Sequence, residues 1–185
     1  MGRMPTIPRR VVTGHDASGV SVFTSDGQVA VTRNSPDGAY FYEIWSTDAT
    51  PAPIAATEPD PTLTALTVPP PPHGTKIRIN EFPPGAVSPV HRTQTVDYGI
   101  VLEGEVVLVL DADETTLRAG DVAVQRGTSH RWENRTDRSA RMAFILIDGA
   151  FTADLLATLG EDVLGGLLHD PMHASGTSEG TRSDG

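Results

Sequence analysis

Residues 85–104 read Gly85-Ala-Val-Ser-Pro-Val-His91-Arg-Thr93-Gln-Thr-Val-Asp97-Tyr-Gly99-Ile-Val-Leu-Glu-Gly104. Residues 120–134 read Gly120-Asp-Val-Ala-Val-Gln-Arg-Gly127-Thr-Ser-His130-Arg-Trp132-Glu-Asn134. Each is an apolar, strand-like run with a histidine close to a glycine turn, and the first carries a carboxylate, Asp97, six residues after its histidine. Two such runs folded into one small barrel can bring two imidazoles and one carboxylate together. That set, open on one side, is what a divalent metal takes.

Working outward, short β-like segments come at regular intervals: Lys76 to Phe82, Val90 to Thr93, Tyr98 to Leu102, Glu105 to Leu110, Thr115 to Arg118, Asp121 to Gln125, His130 to Glu133 and Arg141 to Ile147. Turn signals separate them, among them Pro83-Pro84-Gly85, Glu103-Gly104, Ala119-Gly120 and Arg126-Gly127. Short strands at this spacing predict an antiparallel sandwich or barrel, and the lack of a long helical period disfavours alternating strand–helix units.

Before this block, residues 1–18 read as an N-terminal arm, and Val20 to Thr24 with Val29 to Thr32 as a hairpin turning at Ser25-Asp26-Gly27. Ala39 to Trp45 is aromatic and β-branched, a strand. Residues 47–73 carry prolines at 51, 53, 59, 61 and 69–72, and read as a long surface connection that covers a barrel mouth or reaches a partner subunit. After residue 148 the period changes. Phe151, Leu155, Leu156, Leu159, Val163, Leu167 and Leu168 recur at helical spacing, with Thr152 placed to cap and Gly160, Gly165 and Gly166 placed to interrupt, so residues 149–169 form one helix or two short ones. Residues 170–185 have almost nothing to bury and are expected to be disordered. The barrel is expected over residues 19–148.

Composition narrows the function. A net charge of −10 argues against a nucleic-acid partner, which needs a basic patch. The absence of cysteine excludes disulfides, thiolate nucleophiles and thiolate metal ligands. No apolar run reaches the ~20 residues of a membrane span, and no signal-like apolar stretch follows the first arginines. The expectation is a cytoplasmic protein with no membrane partner.

The two quoted stretches resemble the paired motifs of the cupin superfamily. The first motif of that family runs Gly, five residues, His-x-His, three or four residues, Glu, six residues, Gly; here Gly85, His91, Asp97 and Gly104 keep the spacing, with Thr93 at the second histidine and Asp97 at the glutamate. The second runs Gly, five residues, Pro-x-Gly, two residues, His, three residues, Asn; Gly120, Gly127, His130 and Asn134 match, without the proline and with the histidine shifted by one residue. The resemblance covers residues 75–148. It implies an all-β fold, a jelly-roll-like β-barrel of the small single-domain kind followed by a short C-terminal helical segment. It also implies a homodimer and a divalent metal (iron, manganese, nickel or zinc) at the barrel mouth.

On that basis the metal ligands are His91, Asp97 and His130, and the substrate-pocket candidates are Thr93, Gly99 and Trp132. Each has a plainer reading: a barrel interior that has lost its metal for the histidines, an orienting or turn carboxylate for Asp97, a β-branched filler for Thr93, relief of crowding for Gly99, and core or pocket wall for Trp132. The implied function is a metal-dependent enzyme acting on a small polar organic carboxylate or carbonyl compound, by decarboxylation or other lyase chemistry, dehydration or isomerisation ahead of dioxygenation. The alternative is a non-catalytic small-molecule-binding or sensory barrel. No general base can be named from the sequence.

Overall fold

The computed structural model describes residues 6–35, 37–63 and 67–168. The strands are β1 (Arg9–His15), β2 (Ser21–Gln28), β3 (Thr32–Asn34), β4 (Tyr40–Thr47), β5 (Thr75–Phe82), β6 (Thr95–Glu103), β7 (Glu105–Val109), β8 (Glu114–Arg118), β9 (Val122–Arg126), β10 (Arg131–Glu133) and β11 (Ala140–Asp148). All the pairings are antiparallel. Six strands form one sheet in the order β3-β4-β5-β11-β6-β9, three form a facing sheet β10-β7-β8, and β1 and β2 pair by themselves. This is the expected all-β, jelly-roll-like architecture, its two main sheets unjoined by a continuous ladder.

The core lies between the two main sheets. Phe82, Val101, Val106, Trp132, Met142, Phe144 and Leu146 are buried there in one cluster. Each such side chain withdrawn from water contributes roughly 1.5–3 kcal/mol. Trp132 on β10 meets Phe144 on β11 edge to face, ring centroids 5.4 Å apart, which couples the sheets. Gly104 turns the chain from β6 to β7 at φ 79°, and a Cβ there would stand 3.0 Å from Ala140. Asn134 closes the adjoining corner. Its Nδ2 donates to the carbonyls of Phe82, Pro83 and Arg138, and its Oδ1 accepts from Thr136 N and Oγ1.

The N-terminal hairpin lies one strand earlier than the sequence suggested. Residues 9–15 of the expected arm are β1, and the expected turn Ser25-Asp26-Gly27 lies inside β2. The real turn is Asp16–Gly19, where the Asp16 carboxylate accepts from Ser18 N and Val20 N. Such an Asx turn outcompetes a second Asp-Gly signal once that one is drawn into the ladder. Asp26 lies in that ladder and pairs with Arg9 across the strands, at 2.7 Å.

The proline-rich connection packs on its own barrel. Asp60 accepts from Arg10 of β1 and from Thr62, Ala56 O accepts from His15 N at 3.1 Å, and the Lys76 ammonium donates to the carbonyls of Thr67 and Pro69. At the C-terminal side, helix α1 (Ala153–Leu159) is capped by Thr152 Oγ1, which accepts from Leu155 N, and it stops at Gly160. A single 3-10 turn follows at Glu161–Leu164, so of the two expected alternatives the segment takes the two short pieces. The tail, residues 170–185, lies outside the described residues. No described helix is long and apolar enough to cross a membrane.

Candidate functional site

A cavity of about 790 Å3 opens between the inner face of the six-stranded sheet and the start of β10. Strand β5 sets its character by an inverted alternation. Lys76, Arg78 and Asn80 are buried on the inner face, while Ile77 and Ile79 sit half-buried on the outer one. Arg78 and Asn80 line the cavity together with His91, Thr93, Asp97, Gln125, His130 and Trp132. Phe41, Phe82, Phe144 and Leu146 give it apolar walls.

The two histidines come together as expected. They do so outside regular strand: Val90 to Thr93 forms no strand, only an isolated antiparallel bridge at His91, opposite His130. The chain before His91 carries Pro89, which has no N–H to extend a ladder. The rings lie with centroids 4.2 Å apart and tilted by 55°. Nδ1 of His91 is 2.9 Å from Pro89 O, and Nδ1 of His130 is 2.9 Å from Thr128 O. A carbonyl oxygen only accepts, so in each ring Nδ1 carries the proton and donates, leaving Nε2 with its lone pair. Burial lowers both pKa values. His91 falls below the ordinary imidazole range, and His130, with the His91 ring adding to the effect of burial, is pushed down to about 3. Both rings are therefore neutral at physiological pH.

Asp97 reaches the same interior from β6, buried at 6% exposure. Burial raises its carboxyl above the usual range, opposed by Thr95 and by the charge of Arg78, and its Oδ1 has no hydrogen-bond partner. It does not close with the histidines. Among the described residues, no three His, Asp or Glu side chains stand together as a ready-made metal cluster. The arrangement supplies two neutral nitrogen donors, and the carboxylate-completed set does not form. A buried guanidinium, Arg78, faces the same space and lowers the pKa of His91, as a cation nearby does.

Thr93 lines the cavity with its hydroxyl 2.8 Å from that of Thr95. Trp132 is a cavity wall as well as core, T-shaped against His130 at 6.3 Å. Gly99 lies beneath Met142 and Phe144, either of which would be 3.2 Å from an added Cβ, and is not among the lining residues. It relieves crowding there. Sequence reasoning passed over Arg78, Asn80 and Gln125. The signal for the first two was the run Lys76-Ile-Arg-Ile-Asn80, whose strict alternation marks two faces, of which hydrophobicity alone would bury the isoleucines. No local signal marked Gln125.

A family model described as a cupin domain matches residues 78–147. The chain is 39% identical over 148 residues to the phomopsin biosynthesis cluster protein D of Diaporthe leptostromiformis, across 76% of this chain and 78% of that one. It is 36% identical over 176 residues to the cupin-domain-containing oxidoreductase fogC of Aspergillus ruber, across 84% and 83% of the two chains. Among solved structures, a Cupin 2 conserved barrel domain protein of Salinispora arenicola aligns with a TM-score of 0.45 and 23% identity, over 70% of this chain and 91% of that one.

Proposed function

The chain belongs to the cupin family, and on that premise we propose that it is a small-molecule enzyme whose chemistry is proton transfer on an organic carbonyl compound, of isomerase or dehydratase type. One observation carries this: two neighbouring imidazoles face a roomy, largely apolar cavity, each with its Nδ1 proton donated to a main-chain carbonyl and its Nε2 lone pair left over. In this reading one Nε2 takes a proton from the carbon beside the carbonyl group and returns it to another atom of the same molecule. His91 is the base, because it is the less buried of the two; His130, backed by Trp132, holds the second nitrogen in place. Both Nδ1 bonds fix the tautomer, so neither ring has to reorient during the transfer. Asn80 and Gln125 offer polar contacts to the substrate oxygen. The curated relatives carry the names oxidoreductase and biosynthesis cluster protein. Biosynthetic chemistry fits this proposal, and proton transfer balances on the groups of this chain.

The test is hydrogen–deuterium exchange in D2O, followed by proton NMR, on a panel of small aromatic ketones, aldehydes and β-hydroxy ketones. Wild type is expected to exchange the protons beside the carbonyl of at least one compound, and the His91→Ala/His130→Ala double variant to lose about 100-fold or more of that rate. No exchange across the panel, or the same rate in the variant, overturns the proposal.

A second reading is favoured by the same two Nε2 lone pairs, which are also the nitrogen donors that a divalent metal takes. Elemental analysis of untagged wild type and the double variant separates the two readings: near-stoichiometric iron, manganese, nickel or zinc in the wild type only would establish the metal. We carry the homodimer within the same proposal. Tyr98, Val122 and Val124 are exposed side by side on the outer face of the large sheet, where a second copy would bury apolar surface. A monomeric mass by light scattering would remove it.

A further inference from the structure

The cavity holds a charge that proton transfer at the histidines does not use. Arg78 is 6% exposed and lines the cavity, yet its Nε and Nη1 have no hydrogen-bond partner. The ring of Phe41 lies 5.2 Å below the guanidinium carbon and holds the group in position. Two carboxylates are near enough to be felt, and neither satisfies those donors. Glu43 stands opposite Arg78 in the β4–β5 register, but its own Oε1 is also unpartnered. Asp97 sits two strands away, across β11, and its Oδ1 is unpartnered too. A guanidinium stripped of water with donors unmade is an unfavourable arrangement in a protein resting on its own contacts. It is a favourable one for a site that receives an anion there. The walls around it are of opposite character: Phe41, Phe144, Leu146 and Trp132 present apolar and aromatic surface.

We infer that the cavity binds an organic carboxylate with an aromatic or similarly apolar body, its carboxylate received by the guanidinium of Arg78 and its body held between Phe41, Trp132 and Phe144. This rests on the reading of the cavity as the substrate site and deepens it by assigning the substrate class. Arg78 then sets which molecules bind and where they lie, and the histidines act on what it holds.

The probes are 2-naphthoate and its neutral isostere 2-naphthamide, titrated calorimetrically into wild type, Arg78→Met, Arg78→Lys and the His91→Ala/His130→Ala variant. Wild type is expected to prefer the carboxylate by about tenfold or more, the gain of a charge-assisted hydrogen bond. Arg78→Met should lose that preference while still binding the amide. Arg78→Lys should keep part of it, which a purely structural arginine would not predict. The double histidine variant should keep the preference intact. Equal affinity of wild type for the two probes, binding of neither at millimolar concentration, or an unchanged preference in Arg78→Met overturns the inference. The wild-type comparison decides even if an Arg78 variant fails to fold. Failure here leaves the exchange experiment on the histidines standing, and a failed exchange experiment leaves the anion preference standing, so the two can be told apart.

Discussion

His91 and His130 hold each other by main chain and meet by side chain. The His91 N–H donates to the His130 carbonyl at 2.9 Å, the His130 N–H returns the bond at 3.0 Å, and the two rings lie 4.2 Å apart. They lie thirty-nine positions apart in the chain, yet the bridge between them, with a second at Val87 and Glu133, fixes both backbones and hence both rings. Any shift of the loop carrying His91 therefore shifts the pair.

The first prediction concerns acid. The pKa of His130 is depressed in the folded chain, to about 3 from an ordinary 6.5. The folded state thus binds fewer protons than the unfolded chain at pH values between these two. The stability is fully present above pH 6.5 and is lost as pH falls toward 3, each pKa unit being worth about 1.4 kcal/mol at most. Urea unfolding at a series of pH values should show the wild-type midpoint falling across this window. His130→Asn, which keeps a donor for the Thr128 carbonyl, should show a clearly shallower fall; parallel curves would refute the assignment.

Asn134 predicts a purely structural effect. Its amide ties together the end of β5 and the approach to β11, through the carbonyls of Phe82, Pro83 and Arg138. Asn134→Ala leaves these acceptors short of a donor in a site that is 1% exposed. A loss of roughly 2–4 kcal/mol in chemical denaturation is expected. The anion preference of the cavity should persist in the protein that remains folded.

Gly127 predicts a steric one. It has φ 60°, and a Cβ there would lie 2.5 Å from Phe151 Cε1. Gly127→Ala should destabilise by about 1–3 kcal/mol. Adding Phe151→Ala should recover the steric part of that loss and leave the backbone part, so a double-mutant cycle reading full additivity would rule out the contact.

Asp60 predicts how firmly the proline-rich connection is held. The Arg10 guanidinium, then Thr62, hold its carboxyl at about 2, below the ordinary 3.8. A depressed carboxylate contributes stability above pH 3.8 that fades as pH falls through 2. The pair is partly exposed, so its share of global stability is small. Local release is the better readout. In Asp60→Asn, limited proteolysis within residues 47–63 at pH 7 should run several-fold faster than in wild type; an equal rate would mean that other contacts hold the connection.

Most strands between residue 75 and residue 148 and their antiparallel arrangement were legible in the residues themselves, Val90 to Thr93 excepted, and the two quoted motifs pointed to the meeting of His91 with His130. Period-two apolar runs and turn glycines are local signals, and two motifs in fixed order carry their own pairing. The N-terminal hairpin was misplaced because two Asp-containing turn signals compete there, and in the folded chain Asp26 lies in the β1–β2 ladder while Asp16 makes the turn. Tertiary structure alone decided three things: that Lys76, Arg78 and Asn80 face inward in place of Ile77 and Ile79, that Asp97 and the two histidines line one cavity without forming a three-residue cluster, and that Arg78 lines that cavity with Nε and Nη1 unpartnered. The first and third share a physical reason. Alternation along a strand specifies two faces but not which of them is inside, and which is inside depends on what the other sheet brings against it.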